Sequence, residues 1–463
     1  VEIRGKKYSI IGAARSGIAV AKLLKHHGAD VFLGDKSPAA KMQKAVAELT
    51  QLNITYEFGE NSERALNADV VVLSPGVPND APIVKLAIGR GLKVVAEIEV
   101  ASWFCKGPIV AITGTNGKTT TTALTGRMFE DARRQNLVAG NIGLAFSEVV
   151  EQTNEHTTAI LEVSSFQLDN IETFHPRVSA ILNITPDHLD RYDNSMEKYI
   201  ASKRRIFENQ TGGDAIVYNY DDELVRTNVE ARVGMDVTRL PFSTKRELGE
   251  GAFVANGILK TRIAGIESDV IATDDISIKG VHNLMNAMAA TLAAKAMTIS
   301  TASIRSTLKN FKGVEHRLEF VRELDGVVYV NDSKATNVDS VGYALQSFTK
   351  PIVLLLGGRD KGNDYSQLYQ LVDANVKAIV AIGESAEKVS NAFANRKPLS
   401  TAATMEEAIQ QARRFASRGD VVLLSPACAS FDWFENYEHR GRVFKEIVLN
   451  AEGAERPKNL DDV

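Results

Sequence analysis

Val110-Ala-Ile-Thr-Gly-Thr-Asn-Gly-Lys-Thr-Thr120 constrains this chain more than any other stretch. A β-branched, apolar run enters a glycine-containing turn, and Lys118 and Thr119 then open a helical pattern. Strand, tight turn and helix in that order are the unit of a parallel α/β sheet. The turn also has a chemical use. Its exposed backbone N–H groups and the first free N–H groups of the helix converge on one spot, where phosphate oxygens bind. The lysine ammonium reaches the outer phosphates and the threonine hydroxyl sits on Mg²⁺. The loop is a shortened form of the common phosphate-binding pattern, Gly114-x-x-Gly117-Lys118-Thr119, with Ile112 where a first glycine would stand. A surface turn can contain Gly-Thr-Asn-Gly, but the apolar strand before it and Lys-Thr-Thr after it favour ATP binding.

At 463 residues the chain exceeds one core, and about 150 residues per domain predicts three. Its 54 basic and 58 acidic residues nearly cancel, which argues against a nucleic-acid binder held by phosphate neutralisation. Cys105 and Cys428 make no metal spacing and read as buried small hydrophobes, and so low a cysteine usage fits a reducing compartment. Lys6-Lys7 is followed by Gly12 rather than by the apolar stretch of a signal peptide, and no apolar run approaches transmembrane length. The expectation is a soluble, cytoplasmic protein with neither a membrane nor a nucleic-acid partner.

The first third alternates strands (Tyr8–Ile11, Asp30–Leu33, Asp69–Leu73, Lys93–Ala96) with helical patterns (Gly17–His27, Ala39–Leu52, Pro82–Arg90), a βαβ series. Its first turn, Gly12-Ala-Ala-Arg-Ser-Gly17, resembles a dinucleotide fingerprint, and Asp35 closes the second strand at the expected distance. The middle glycine is Ala14, so a diphosphate-bearing ligand other than NAD is the better reading. Beyond Lys106-Gly107-Pro108 the second unit predicts strands at Ala159–Val163, Ser179–Ile184 and Asp214–Tyr218. Helices are predicted over Met196–Glu208 and Val281–Ala296, and small antiparallel strands between about Arg239 and Ile278. A third unit, from Val314, predicts strands at Val327–Val330, Ile352–Leu356, Ala378–Ile382 and Val421–Leu424, and a frayed tail from Ala451.

Polar strand ends mark the chemistry, because ligands of open α/β sheets bind outside the carboxyl ends of strands. Glu162 ends one such strand and can hold the Mg²⁺ that bridges ATP phosphates; a structural ion pair is the bland alternative. His188, in Asn183-Ile-Thr-Pro-Asp-His-Leu-Asp-Arg-Tyr192, gains a metal or phosphate role from its position near Lys118 and Glu162 rather than from its residue type. In the third unit, Asn331-Asp-Ser-Lys-Ala-Thr-Asn337, Gly357-Gly-Arg-Asp-Lys-Gly362 and Ser425-Pro-Ala-Cys-Ala-Ser-Phe431 each follow an apolar run. Lys334 and Lys361 suit an anionic substrate, and Asp332 an amine or a cation. Singly these are solvated charges; together they make a site.

With these motifs on the page, the chain resembles the Mur ligase family, ATP-dependent amide-forming enzymes of peptidoglycan precursor synthesis. Gly114-Thr-Asn-Gly-Lys-Thr-Thr120 is common to the family and its folate-polyglutamate relatives. Leu161-Glu-Val-Ser-Ser-Phe-Gln-Leu168, Asn331–Asn337 and Ser425–Asp432 are more specific. They resemble the branch that adds D-glutamate to UDP-N-acetylmuramoyl-L-alanine, with a sibling adding another amino acid as the alternative. The resemblance implies a Rossmann-like N-terminal domain (1–106), a central P-loop ATPase-like parallel-sheet domain (107–313) and a Rossmann-like C-terminal domain (314–463) that binds the amino acid.

It also implies site residues. Arg15, Ser16, Asp35, Lys36, Ser74, Pro75 and Gly76 would hold the uridine and diphosphate, and Asn141, Ser164, Gln167 and His188 the muramoyl-alanine end. ATP would engage Gly114, Thr115, Asn116, Gly117, Lys118, Thr119 and Thr120, with Asn283 and Asn286 near the adenine and Arg317 and Asp332 contributed by the third domain. One Mg²⁺ would use Thr119 and Glu162. A second would use His188 and a carbamylated Lys203, so Lys118, Glu162, His188 and Lys203 form the catalytic set. D-glutamate would meet Thr336, Lys361, Ser430 and Phe431, with Tyr437 nearby. The resemblance further implies a role in cell-wall biogenesis, and with it cell shape and division. A monomer is expected, since a split site needs a mobile third domain.

Overall fold

The computed structural model describes residues 2–360 and 362–452, which form two compact units: 2–277 with 283–311, and 278–282 with the described residues from 312 to 452.

The first unit contains two sheets. The first is β1 (Lys7–Ile11), β2 (Asp30–Asp35), β3 (Thr55–Phe58), β4 (Val70–Leu73) and β5 (Lys93–Ala96), in the order β3-β2-β1-β4-β5 and parallel throughout. Strand order reverses at β1, so the turn after β1 lies beside the turn after β4: Ser74 N–H donates to the Ile11 carbonyl at 3.0 Å. That is a topological switch point, where this architecture leaves a crevice for a ligand. The helix predicted over Ala39–Leu52 is broken. A 3₁₀ turn over Ala39–Lys41 closes with Met42 N–H on the Ala39 carbonyl, and the α-helix Gln43–Gln51 starts after it.

The second sheet comprises β6 (Ile109–Thr113), β7 (Asn136–Gly140), β8 (Thr158–Glu162), β9 (Val178–Ile181), β10 (Ala215–Asn219), β11 (Thr238–Ser243), β12 (Gly251–Ala255), β13 (Ile258–Ile263) and β14 (Ile266–Ala272). Its order is β14-β13-β12-β11-β10-β9-β6-β8-β7. Only β12, β13 and β14 pair antiparallel. The expectation of antiparallel strands from Arg239 is therefore corrected for β11, which continues the parallel sheet between β10 and β12. Strand order reverses at β6, with β8 on one side and β9 on the other.

The two sheets share a core. Leu23, Ala96, Ile98 and Ala101 pack in one apolar cluster with Phe146, Val149, Val150 and Leu168. Buried carboxylates reinforce the joint. Glu97 accepts from Ser147 N–H at 2.9 Å. Glu99 accepts from the Trp103 indole, the Thr173 hydroxyl and the backbone N–H groups of Glu172, Thr173 and Phe174. Donors on so many sides satisfy a charge that would otherwise be costly to bury.

The second unit is built on β15 (Glu319–Leu324), β16 (Val327–Asn331), β17 (Ile352–Gly357), β18 (Val376–Ile382), β19 (Leu399–Ala402) and β20 (Val421–Leu424), in the order β15-β16-β20-β17-β18-β19. All pairs are parallel except the β15–β16 hairpin. Its two faces bury separate cores, around Leu354, Leu356 and Phe393 on one side and Val353, Leu355 and Phe444 on the other. The tail expected from Ala451 lies outside the described residues from 453 onward.

Candidate active site

Backbone geometry fixes the loop after β6. Gly114 has φ +155° and Gly117 φ +85°, and Gly117 stands at the N-terminus of the helix Lys118–Asp131. A Cβ on Gly117 would meet Asn286 Oδ1 at 2.3 Å, so neither the conformation nor the space admits a side chain. The stretch after β9 holds the loop from the other side. Asn183 accepts from Thr115 N–H through its carbonyl (3.0 Å) and from Asn116 N–H through Oδ1 (2.8 Å), while its amide donates to the Asn116 carbonyl (3.0 Å). Thr115 Oγ1 accepts from Thr185 N–H and lies 3.1 Å from the Tyr199 hydroxyl. Asn286 accepts from Thr121 and donates to Asn283. Asn286 is therefore buried against the phosphate loop and its helix, and Asn283 is buried beside Asn286.

Two lysines converge on this loop. Lys118 Nζ donates to the carbonyls of Gly114 (2.9 Å) and Thr115 (2.8 Å), and Lys203 Nζ donates to the same Gly114 carbonyl at 2.9 Å. Lys203 is 2% exposed and stands 4.6 Å from the Tyr199 ring centre. Burial, then the neighbouring Lys118 charge, hold its amine well below the usual lysine range, although Asp187 and Asp169 pull the other way.

Glu162 ends β8, paired through the register Ile112↔Glu162 with the strand that feeds the loop. Its Oε1 accepts from Asn141 at 2.9 Å. Its Oε2 is buried with no hydrogen-bond partner among the described residues. Thr119 and Thr120 are buried in the first turn of the helix. His188 has a left-handed backbone (φ 52°), meets Phe166 edge-on at 6.2 Å and lies 3.8 Å from Asp187. Ser164 and Gln167 engage each other as the capping box of the short helix Ser165–Leu168.

At the first sheet, Gly12 and Gly17 are the glycines the turn requires. A Cβ on Gly17 would stand 1.9 Å from the Gly12 carbonyl, and one on Gly12 would press on Ser74 and Val77. Ala14, in place of the middle glycine, is exposed and extended. Asp35 accepts from Ala13 N–H and Ser37 N–H, each at 2.7 Å, so its carboxylate shapes the turn. Arg15, Lys36 and Gly76 are exposed, Ser16 and Pro75 half-buried, and Ser74 buried with its hydroxyl unpartnered among the described residues.

Sequence reasoning missed Arg191. Its guanidinium donates to the carbonyls of Pro75 and Gly76, both at 3.1 Å, and stacks 4.6 Å from the Phe166 ring. The stretch that carries His188 is thereby tied to the turn after β4. Its place beside His188 was the available signal.

In the second unit, the predicted loops after β16, β20 and β17 end three adjacent strands. Asp332 is 1% exposed, accepts from Ser425 Oγ (2.9 Å) and Leu318 N–H (3.2 Å), and lies 4.0 Å from Arg317. Burial pushes its carboxyl up to about 6 against the pull of Arg317 and Ser425. Lys334 donates to the Tyr437 hydroxyl at 3.1 Å. Thr336 is half-buried in the same loop, Ser430 is buried, and Phe431 is 61% exposed. Lys361 lies outside the described residues. Sequence reasoning also missed Arg440. Fully buried, it donates to the Ser333 hydroxyl and carbonyl and to the carbonyls of Cys428 and Ala429, fastening two of the loops together. It sits in a mixed helical stretch that reads as surface, so no local signal marked it. Cys428 is buried as expected, but Cys105 is only half-buried.

Comparison with known proteins shows the family of the chain. The chain matches the Mur ligase MurD-like N-terminal domain over residues 6–96, the Mur ligase middle domain over 112–294 and the Mur ligase glutamate ligase domain over 316–428. It is 50% identical to the UDP-N-acetylmuramoylalanine–D-glutamate ligase of Salinibacter ruber, covering 96% of this chain and 98% of that one. With the enzyme of the same name from Chloroherpeton thalassium it shares 46%, covering 97% and 99%. Among solved structures it is similar in fold to the UDP-N-acetylmuramate–alanine ligase MurC of Thermotoga maritima, with TM-score 0.59, 20% identity and coverage of 96% and 100%. It is likewise similar to the ADP complex of MurF ligase from that organism, with TM-score 0.58, 15% identity and coverage of 97% and 96%. The phosphate loop at the switch point of the middle sheet and the loops after β16 and β17 fall inside these matched domains, and the chain belongs to the Mur ligase family.

Proposed function

We propose that this chain is an ATP-dependent amide ligase that joins D-glutamate to UDP-N-acetylmuramoyl-L-alanine in peptidoglycan precursor synthesis. One observation carries the reading: relatives bearing that activity in their names match at 43–50% identity over nearly the whole chain. The site supports it. The switch point of the first sheet suits a nucleotide-linked substrate, and the glycine loop with Lys118 suits the phosphates of ATP.

The chemistry follows from the substrates. A carboxylate is a poor electrophile, so the L-alanyl carboxylate attacks the γ-phosphorus of ATP and releases ADP. The D-glutamate amine then attacks the acyl phosphate carbon, loses a proton, and expels inorganic phosphate from the tetrahedral intermediate. No protein nucleophile is needed. Lys118 leaves two neutral carbonyls for charged phosphate oxygens and stabilises the transferring group. Loop N–H groups orient the phosphate chain. Lys334 and the buried loop ends of the second unit receive the amino acid's carboxylates.

The family's Mg²⁺ fits this chain, because the unpartnered Glu162 Oε2 is a buried anionic oxygen that a cation would compensate. Glu162 and Thr119 would hold it, and His188 with a carbamylated Lys203 a second; bound there, Mg²⁺ neutralises charge on the transferring phosphoryl group. The depressed Lys203 amine supports the modification, since only a neutral amine adds CO₂ to give a carbamate and a proton. Asn283 and Asn286 would meet the adenine, and Arg317 and Asp332 would add to the ATP site. Arg15, Ser16, Asp35, Lys36 and the Ser74–Gly76 turn would bind the uridine diphosphate, and Asn141, Ser164 and Gln167 the muramoyl end. Thr336, Lys361, Ser430, Phe431 and Tyr437 complete the D-glutamate site. The reading carries with it a monomeric, cytoplasmic enzyme; no helix among the described residues is long and apolar enough to cross a membrane.

The test is phosphate release from ATP with UDP-N-acetylmuramoyl-L-alanine, Mg²⁺ and bicarbonate, comparing D-glutamate, L-glutamate, L-lysine and no amino acid. Release that requires both the nucleotide substrate and D-glutamate is expected. Release with another amino acid would move this chain to a sibling activity, and none with any would overturn the reading.

A further inference from the structure

The helix Arg15–His26 ends at His26 with His27 as its C-cap, and both histidines reach one carboxylate. His26 Nδ1 lies 3.0 Å from Glu151 Oε1 and 3.2 Å from Oε2, and His27 Nε2 lies 3.0 Å from Oε1. The histidines belong to the first sheet's layer, whereas Glu151 stands in the 3₁₀ turn Val150–Gln152 that packs with the second. One ligand atom from each residue lies within 4.8 Å of the other two.

Those separations have a chemical meaning. Zn²⁺ binds imidazole nitrogen and carboxylate oxygen at about 2.0–2.2 Å, so neighbouring ligands of a tetrahedral ion stand about 3.3 Å apart. The histidine–carboxylate distances are already close to that edge. Phe104, with ring centres 4.4 Å apart, packs against the His27 imidazole and restricts its rotation. Lys22, one of the lysines lining the adjoining groove, is engaged by Glu48 at 2.5 Å. The groove, a cavity of about 950 Å³ lined by Glu48 and Glu148 as well as Arg15, Lys22, Lys41 and Lys44, leaves room for water as a further ligand. Two imidazoles with only one carboxylate suit a d-block ion better than Mg²⁺, whose ligands are mainly oxygens.

We propose that His26, His27 and Glu151 form a binding site for a divalent d-block cation of the Zn²⁺ type that staples the first α/β layer to the second. The site is separate from the phosphate loop, and its role is structural. A second trio, Glu315, His316 and Glu319, has no such vacancy. Lys445 bridges its two carboxylates at 2.5 and 2.9 Å, and Asn331 engages His316 Nδ1 at 2.9 Å.

The experiment is a Zn²⁺ titration of the full chain in saturating Mg²⁺, read by competition with a chromophoric chelator. One equivalent is expected to bind. His27→Ala and Glu151→Gln are each expected to weaken it by more than about 100-fold, because even outer-shell partners are worth about 10–100-fold. His316→Ala should leave it unchanged. Zn²⁺ should also raise the unfolding midpoint of the parent protein and not that of Glu151→Gln, a surface change that keeps the fold available if His27→Ala disturbs packing on Phe104. Absence of a bound equivalent in Mg²⁺, or binding indifferent to both substitutions, would overturn the proposal.

Discussion

Burying Asp332 leaves a pH signature. Its carboxyl, pushed up to about 6, holds a proton in the folded protein that the unfolded chain gives up near pH 3.9. The stability from this group is therefore full below about pH 4 and is lost as pH rises through about 6, a change on the order of 3 kcal/mol. Urea titrations from about pH 4 to about pH 7 should show Asp332→Asn gaining stability relative to the parent by that order; a pH-independent difference would place the carboxyl in an ordinary environment. Lys203 carries a second prediction. Enzyme stripped of CO₂ is expected to lose most of its activity and to recover it on adding bicarbonate. Lys203→Ala should show no recovery. An unmodified parent enzyme with full activity would remove the carbamate from the site.

Elements hold these residues, and two can be tested through their supports. Gly117→Ala places a side chain at φ +85° against Asn286, so the nucleotide loop is expected to lose roughly 1–3 kcal/mol and ATP affinity with it. Thermal unfolding and nucleotide binding measure the two effects separately. Arg191→Ala removes the bonds to Pro75 and Gly76, each of about 1.5 kcal/mol as a charged donor. KM for the nucleotide-sugar substrate should rise about tenfold or more with kcat little changed, whereas a fall in kcat alone would place Arg191 outside substrate binding.

The same scale explains what could be read in advance. Interior strands such as β6, β8 and β17 were legible because burial on both faces demands an unbroken apolar run. The strands that went unread, β3, β7, β15 and β19, are all edge strands, half exposed and without such a run. The phosphate loop, Glu162 and Asp332 were legible because a strand end and its polar residues are neighbours in sequence. Arg440, Asn183 as a brace of the loop, and the two histidines on Glu151 act through partners far along the chain, and local pattern carries no trace of that.

At the scale of the molecule, three sheets make two units. The shared core around Leu23, Ile98 and Phe146, with Glu97 and Glu99 buried in the joint, makes the first two sheets one cooperative block. Trp103 lies in that block and Trp433 in the second unit. Followed through Trp433→Phe and Trp103→Phe variants, urea unfolding is expected to show two different midpoints. Coincident midpoints would mean that the units unfold together.

The chain does not pass cleanly from one unit to the other. Residues 278–282 belong with the second unit although the sequence returns to the first until residue 311. Recombination that traded the second unit of one ligase for that of another at residue 312 alone would leave those five residues with a foreign partner. A working chimera must exchange two segments, so inheritance of an intact second unit by a single crossover is disfavoured by the way this fold is threaded.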